Sequence, residues 1–263
     1  SSINGMMYIR GHRNDYDTWA QMGNTGWDYE SVLPYFKRTE HHADRRDEYH
    51  GADGEWQVQR AYSDNPLYHA FFGACEQAGY QRTTDFNGES QEGFNWHEFN
   101  IKNGRRHSTA RALLHPALRR ANLRVETRAQ ARRILFEGKR AVGVEYEQAG
   151  AIKTARCTGE VILCGGAVNS PQLLELSGVG DGERLKSVGV EVAHYLPGVG
   201  ENMHDHLGIY VQYNCTEPVT MYRWFRPDRA VLMMLQVIFL RSGVGASLPL
   251  EAGLITRTRP ELD

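Results

Sequence analysis

Residues 165–180 read GGAVNSPQLLELSGVG, and they follow the apolar run Val161–Cys164. Four apolar residues predict a buried strand, and the glycine pair permits a tight turn. Asn169 or Ser170, followed by Pro171, is typical of a helix N-terminus. A strand, a glycine turn and a helix start would present free N–H groups to an anionic or nucleotide ligand. A packing turn in an α/β domain explains the same pattern equally well.

Composition limits the function classes. The 263 residues suffice for one large domain or two modest ones, and 41% hydrophobic with 24% charged residues is ordinary for a globular protein. The net charge is −2, the calculated isoelectric point is about 6.6, and the lysines and arginines are scattered. No basic surface is therefore predicted, and nucleic-acid binding is excluded.

The reactive residue types give no metal or disulfide signal. The four cysteines lie far apart, which predicts buried thiols in a reducing compartment. None of the 11 histidines has a metal-ligand spacing, so structural roles are expected and no metal site is predicted. The apolar run 230–240 is too short to span a bilayer, and no signal peptide is recognised. These features predict a cytoplasmic location.

The rest of the chain alternates between helical and extended patterns. Asp15 and Asp28 are predicted to cap two helices between residues 14 and 39, and Asn65-Pro66 to start a third. The polar stretch 40–54 is interpreted as a solvated loop. The further predicted elements are a β-meander over residues 132–157, a helix over 229–241, and strands over 123–126, 189–194, 207–215 and 250–255.

Residues 165–180 resemble, from first to last, a signature segment of the glucose–methanol–choline (GMC) flavoprotein oxidoreductases. The resemblance implies an α/β fold with α+β character. It would comprise part of a doubly wound FAD-binding domain with a β-meander, and the start of an antiparallel-sheet substrate domain. We expect the first over residues 1–206 and the second over residues 207–263.

The resemblance also assigns cofactor-binding residues. The first residues look like the tail of a glycine-rich loop that wraps FAD, and the matching positions are Ser1, Asn4, Gly5, Met6 and Met7. Ala131 matches a position whose backbone contacts the adenine. Small residues permit close approach of the backbone to a rigid ligand, and the asparagine amide offers a donor and an acceptor. From the residues alone, Ser-Ser-x-Asn-Gly is only a turn signal.

Two parts of the family pattern are not found in the chain. A Gly-x-Gly-x-x-Gly between a strand and a helix is missing and is expected upstream, so we expect weak or no FAD binding by this piece. The family's catalytic histidine is expected beyond residue 263, so no catalytic residue is assigned and the isolated piece is predicted to be inactive. Exposed edges and apolar faces predict self-association.

Glu251 stands in the apolar run Leu250–Ile255, where a carboxylate is costly without a cation or hydrogen-bond donors. A structural partner in Arg257 or Arg259 is one explanation. In choline-oxidising members of the family the matching glutamate faces the substrate cavity, and aliphatic-alcohol dehydrogenases of the family also have an acid at this position. The resemblance as a whole favours a small alcohol substrate, with choline oxidised to betaine aldehyde.

Three further points stay open. The substrate is choline, or an aliphatic or aromatic alcohol, unless the chain is a non-catalytic scaffold that acts as a binding protein. The electron acceptor is oxygen or a respiratory quinone, and the family likeness favours the quinone. Quinone reduction would bring the protein to the inner face of a bacterial inner membrane.

Overall fold

The computed structural model describes residues 4–61, 63–259 and 261. Two compact units are formed, one by Ser1–Leu123 with Tyr213–Asp263 and the other by Arg124–Gln212. Each unit is described separately below. The domain boundary predicted between residues 206 and 207 stays a prediction.

The described residues form helices and strands in a mixed α/β arrangement, as predicted. The α-helices are α1 (Arg13–Gln21), α2 (Tyr29–Thr39), α3 (Pro66–Gln77), α4 (His115–Ala117), α5 (Gly166–Leu176), α6 (Gly182–Ser187) and α7 (Pro227–Leu235). The strands are β1 (Glu40–His42), β2 (Trp56–Arg60), β3 (Gly93–Trp96), β4 (Glu98–Phe99), β5 (Ile101–Lys102), β6 (Arg105–Arg106), β7 (Ala129–Glu137), β8 (Arg140–Gln148), β9 (Ala151–Arg156), β10 (Val179–Gly180), β11 (His194–Tyr195) and β12 (Ala252–Ile255).

Side-chain caps set the starts of the first three helices. The Asp28 side chain accepts a hydrogen bond from the Ser31 N–H at the start of α2, and Asn65 accepts one from Leu67 at the start of α3. Both caps were predicted. The prediction for α1 was wrong, because His12 is its N-cap, and the Asp15 carboxylate at the third helical position accepts a hydrogen bond from the His12 N–H.

The first unit has its apolar core where α3 packs on the antiparallel pair of β3 and β12. Phe72 and Cys75 of α3 contact Phe94 and Trp96 of β3. In the pairing of these strands Ala252 lies opposite Trp96. Leu67, on another face of α3, is exposed. Aromatic bulk on the sheet decides which face of the helix is buried.

The second unit contains the predicted meander. Strands β7, β8 and β9 form one antiparallel sheet in chain order. Ser177, which follows α5, accepts a hydrogen bond on Oγ from the Ile134 N–H of β7 at 2.7 Å. The end of the GGAVNSPQLLELSGVG segment is therefore fixed directly to the meander.

Three strand predictions were wrong. Residues 161–164, 123–126 and 207–215 form no strand, and within the described part of the chain none of them pairs with another strand. Ile162 and Leu207 are exposed. Alternation or apolarity identifies a segment suited to a sheet, but pairing requires a neighbour that offers its own backbone groups.

The start of α5 and the cysteines also differ from the predictions. Helix α5 begins at Gly166 after Gly165, so Pro171 lies inside the helix rather than in its first turn. Ser170 Oγ accepts a hydrogen bond from the Gly165 N–H.

All four thiols are free, but of these four cysteines only Cys75 is buried. Cys157 is partly buried, and Cys164 and Cys215 are exposed.

A helix was predicted over residues 229–241 and a strand over residues 189–194. The structure has both types of element, but with other bounds. Helix α7 begins at Pro227 and continues as a π-helix over Gln236–Leu240. The extended segment near residue 190 is reduced to the two residues of β11, which pair in parallel with β10. No helix in the described part of the chain is long and apolar enough to cross a membrane.

Candidate functional site

A cavity of about 430 Å³ lies in the first unit, beside Glu251. Its wall combines the segment before and within α3, the turn at residues 219–224 and the loop at residues 243–249. The described lining residues are Ser63, Asp64, Asn65, Tyr68, Val219, Thr220, Met221, Arg223, Trp224, Gly243, Val244, Ser247, Leu248, Pro249 and Glu251. This size suits a small organic molecule.

Glu251, the residue before β12, is held by its backbone. Its N–H donates to Tyr68 Oη at 3.3 Å, and its carbonyl accepts from the His97 N–H at 2.8 Å. The residue is 8% exposed. A carboxylate with so little contact with water is unfavourable unless other groups compensate its charge.

The cationic partners considered for Glu251 are engaged elsewhere. Arg257 forms an ion pair with Glu92 at 2.9 Å, and Arg259 pairs with Glu261 at 3.7 Å. Among the described residues no lysine or arginine forms an ion pair with Glu251. The structure thus gives Glu92 and Glu261 as ion-pair partners of these two arginines.

Aromatic groups complete the cavity wall. Tyr68 packs edge-on against Trp96, and burial raises the pKa of the Tyr68 phenol, with the nearby Glu251 charge acting in the same direction. The phenol is therefore neutral at physiological pH. Trp224, which is half-buried, comes from the turn at residues 219–224. The guanidinium carbon of Arg223 is 5.6 Å from the centroid of its ring. Aromatic faces beside a carboxylate attract cations.

The segment Asn4–Met7 lies in the same unit and is anchored by its backbone. Arg106 donates to the Asn4 carbonyl at 2.7 Å, and the Asn100 N–H donates to the Met6 carbonyl at 2.8 Å. Met6 has a φ of 68°, a conformation that L-residues rarely adopt. Ser1, also predicted to bind the cofactor, lies outside the described residues.

This segment fits the edge of a rigid, polar ligand. Asn4 and Gly5 are exposed, and within the described residues the Asn4 side-chain amide makes no hydrogen bond. A Cβ atom at Gly5 would lie 3.3 Å from Leu248 Cδ2, so glycine keeps the backbone close to its neighbour. A free amide beside an exposed glycine offers a donor and an acceptor to a ligand that approaches the backbone.

Ala131 lies in the second unit. It pairs with Tyr146 of β8 next to a β-bulge, and its carbonyl accepts a hydrogen bond from the Gln130 side chain at 3.4 Å. The bulge frees backbone groups from the regular ladder, which is compatible with a backbone contact to a ligand. The predicted adenine contact itself stays a prediction.

Sequence reasoning missed a buried ionic network in the first unit. His50 Nδ1 lies 3.1 Å from Glu40 Oε1, and its Nε2 lies 2.8 Å from Asp85 Oδ2. Arg10 donates to Glu40 at 2.9 Å. Glu40 and His50 are fully buried, so the interpretation of residues 40–54 as a solvated loop was wrong at these positions, whereas residues 46–48 of the stretch are exposed.

A second part of this network joins β1 to β4. His42 Nε2 lies 3.0 Å from Glu98 Oε1, and Arg45 binds Asp85 at 2.7 Å. The network thus satisfies buried charges with one another, which is a structural arrangement. Among the described residues no group of three or more histidine, cysteine or acidic side chains has a geometry that could hold a metal ion.

Comparison with known proteins identifies the family. The model of the GMC oxidoreductases matches residues 1–208. The chain belongs to the GMC oxidoreductase family. FAD is the cofactor of this family.

Several relatives carry names that mention choline. The chain is 48% identical over 260 residues to the mitochondrial choline dehydrogenase of Homo sapiens, covering 99% of the chain and 44% of that protein. It is 47% identical over 266 residues to the oxygen-dependent choline dehydrogenase of Staphylococcus saprophyticus, covering 100% of the chain and 47% of that protein. The chain thus spans less than half the length of these relatives.

Solved structures show the same fold. Pyridoxine 4-oxidase from Mesorbium loti superposes with a TM-score of 0.69 and 31% identity, over 75% of this chain and 39% of that one. Formate oxidase from Aspergillus oryzae superposes with a TM-score of 0.84 and 21% identity, over 95% of this chain and 45% of that one. The second likeness, at low identity, concerns the fold alone.

Proposed function

We propose that the full-length protein to which this chain belongs oxidises choline to betaine aldehyde with FAD. The observation that carries the proposal is Glu251, a buried carboxylate that has no described ion-pair partner and lines a cavity with Tyr68 and Trp224. The names of the choline dehydrogenase relatives support the same substrate.

The cavity suits the chemistry of a quaternary ammonium ion. Such an ion carries a permanent positive charge and has no N–H with which to donate a hydrogen bond. Recognition must therefore come from a negative charge and from aromatic faces, and Glu251, Tyr68 and Trp224 supply these groups. An uncharged alcohol would bring no positive charge to the buried carboxylate.

The flavin would lie against Asn4, Gly5, Met6 and Met7, and Ser1 belongs to the same proposed set. When bound, FAD supplies the acceptor for the hydride that leaves the alcohol carbon. The residues of this chain would orient the flavin and hold the substrate's cationic end. The base that removes the hydroxyl proton is proposed to lie outside this chain. Ala131 is proposed to contact the adenine through its backbone.

The 263-residue chain alone should retain little FAD and should not oxidise choline. It contains no Gly-x-Gly-x-x-Gly turn between a strand and a helix, so it lacks the positive end of a helix that would stabilise the pyrophosphate. The measurement is the flavin absorption of the purified chain after gel filtration with excess FAD, beside the full-length protein as control. A stoichiometric flavin band, or reduction of an artificial acceptor by choline, would contradict this expectation.

Glu251→Gln in the full-length protein should lower kcat/KM for choline by about tenfold, equivalent to ~1.4 kcal/mol. The amide keeps the shape of the side chain but removes the charge that compensates the ammonium. The neutral isostere 3,3-dimethylbutan-1-ol should be oxidised with kcat/KM changed by less than about twofold. Steady-state kinetics with both alcohols measure the difference.

Glu92→Gln is the matched control, because Glu92 is an exposed glutamate that pairs with Arg257 and does not line the cavity. It should leave both alcohols unaffected. Equal losses with choline and its neutral isostere in Glu251→Gln would show that Glu251 does not recognise the charge. Oxidation of aliphatic or aromatic alcohols in preference to choline would replace the substrate proposal with the other enzymatic alternative.

The electron acceptor, location and assembly are part of the same proposal. A respiratory quinone is proposed as acceptor, with the protein at the inner face of a bacterial inner membrane and able to form homo-oligomers. The relatives named oxygen-dependent offer oxygen as the competing acceptor. Comparing quinone reduction with oxygen consumption under the same choline supply distinguishes the two.

A further inference from the structure

We infer that Arg223 is a resident cation of the Glu251 cavity, one that competes with cationic molecules for the Trp224 ring and so sets how strongly the cavity prefers them. As a statement about substrate preference, this inference rests on the proposed function. It assigns to Arg223 a part in specificity that opposes the attraction exerted by Glu251.

The position of Arg223 supports this role. It lies with Trp224 in the 3₁₀ turn Met221–Phe225, and its guanidinium carbon is 5.6 Å from the ring centroid of Trp224. Its side chain is exposed, and in the described part of the chain it forms no ion pair. Arg226, three residues later, is instead paired with Asp228 at 3.3 Å. Among the described residues, the Trp224 ring is therefore the group that restrains the Arg223 guanidinium.

The contact between Arg223 and Trp224 matters because acidic side chains line the same cavity. The charged side chains among its described lining residues are Asp64, Arg223 and Glu251. Arg223 is thus the positively charged side chain among these three. Without its guanidinium, two acidic side chains and a free aromatic face would line the cavity. Guanidinium groups stack readily on indole rings, and an alkylammonium ion seeks the same face.

A cationic molecule that enters must therefore displace Arg223 from Trp224 or share the cavity with it. Both alternatives reduce affinity, and the repulsion between the two cations has no counterpart for a neutral molecule of the same shape. Arg223→Gln should lower KM for choline by about two- to fivefold with kcat unchanged, the size of an exposed cation–π contact. KM for 3,3-dimethylbutan-1-ol should stay the same.

Arg226→Gln is the matched control, because it removes an exposed arginine of the neighbouring turn that does not line the cavity. It should leave KM for both alcohols unchanged. A higher KM for choline in Arg223→Gln, or equal changes for choline and its neutral isostere, would overturn the inference.

A binding measurement separates this inference from the proposed function. Tetramethylammonium, titrated into the full-length protein and followed by broadening of its methyl NMR signal, should bind Arg223→Gln about two- to fivefold more tightly than the unsubstituted protein. Equal or weaker binding overturns the role of Arg223 whatever alcohol is oxidised. A protein that fails to oxidise choline, but binds tetramethylammonium more tightly after the substitution, refutes the proposed substrate and retains the role of Arg223.

Discussion

Replacing Glu40 with glutamine should lower the free energy of unfolding of the first unit by about 3–5 kcal/mol. The Glu40 carboxylate accepts hydrogen bonds from Arg10, at 2.9 Å, and from the Gly51 N–H, at 2.9 Å, and it lies 3.1 Å from His50 Nδ1. Glu40 has no exposed surface, and Arg10 is buried with it. The substitution leaves the buried guanidinium and the imidazole without their shared anion, and water cannot reach them.

Tryptophan fluorescence during urea denaturation is the suitable measurement. All five tryptophans of the chain, Trp19, Trp27, Trp56, Trp96 and Trp224, belong to the first unit. Glu30→Gln is the control, because Glu30 pairs with Arg13 at 2.6 Å on the surface, where 45% of the Arg13 side chain and 70% of the Glu30 side chain are exposed. It should cost less than about 1 kcal/mol. A similarly small loss in Glu40→Gln would show that the network does not hold the unit together.

The contrast between these two glutamates shows what the sequence could not reveal. A polar stretch such as residues 40–54 has the same composition whether its charges face water or one another. Burial of Glu40 and His50 depends on Arg10 and Asp85, which approach from distant parts of the chain. Patterns within a short window contain no information about such partners.

Local signals succeeded where the stabilising contact is itself local. The caps Asp28 and Asn65 bond to residues two or three positions away, and the meander is formed by consecutive strands joined by short turns. The strand prediction for residues 161–164 failed because a strand also needs a partner strand, and no described residue provides one. The sequence thus predicted which segments form helices and strands better than it predicted which elements they pair with.

The candidate site follows the same division. Glu251 was identifiable because a carboxylate in an apolar run is chemically conspicuous. Tyr68 was not, since it meets the Glu251 N–H across 183 positions of sequence. Trp224 and Arg223 likewise belong to a turn with no distinctive motif, and only the fold places them on the same cavity.

Raising the pH should destabilise the first unit through His50, by roughly 3 kcal/mol between pH 6.5 and about 9.5. Burial alone would lower the pKa of His50, but hydrogen bonds from its ring to Asp85 and Glu40, and the charges of these carboxylates, raise the pKa from 6.5 to about 9. Arg10, Arg45 and His42 are the other charged or titratable groups around this site. A group whose pKa is higher in the folded state stabilises the protein below its unfolded pKa, and this contribution disappears as the pH rises through the folded pKa.

His50→Gln separates this effect from every other titration. The substitution destabilises the unit at neutral pH, because Glu40 and Asp85 lose their shared proton donor, but the unfolding free energy should then be nearly constant between pH 6.5 and 9.5. His41→Gln is the control, because His41 is an exposed histidine of the same strand β1, and it should retain the pH dependence of the unsubstituted protein. An equal decline in His50→Gln would assign the alkaline loss to another group.

At acid pH the opposite sign applies. Hydrogen bonds and charges from His50 and His42 outweigh burial and lower the pKa of Asp85 and of Glu98, so the stabilising contribution of these carboxylates is lost as the pH falls. The network should therefore be most stabilising between these limits, where Asp85 and Glu98 are ionised and His50 is protonated.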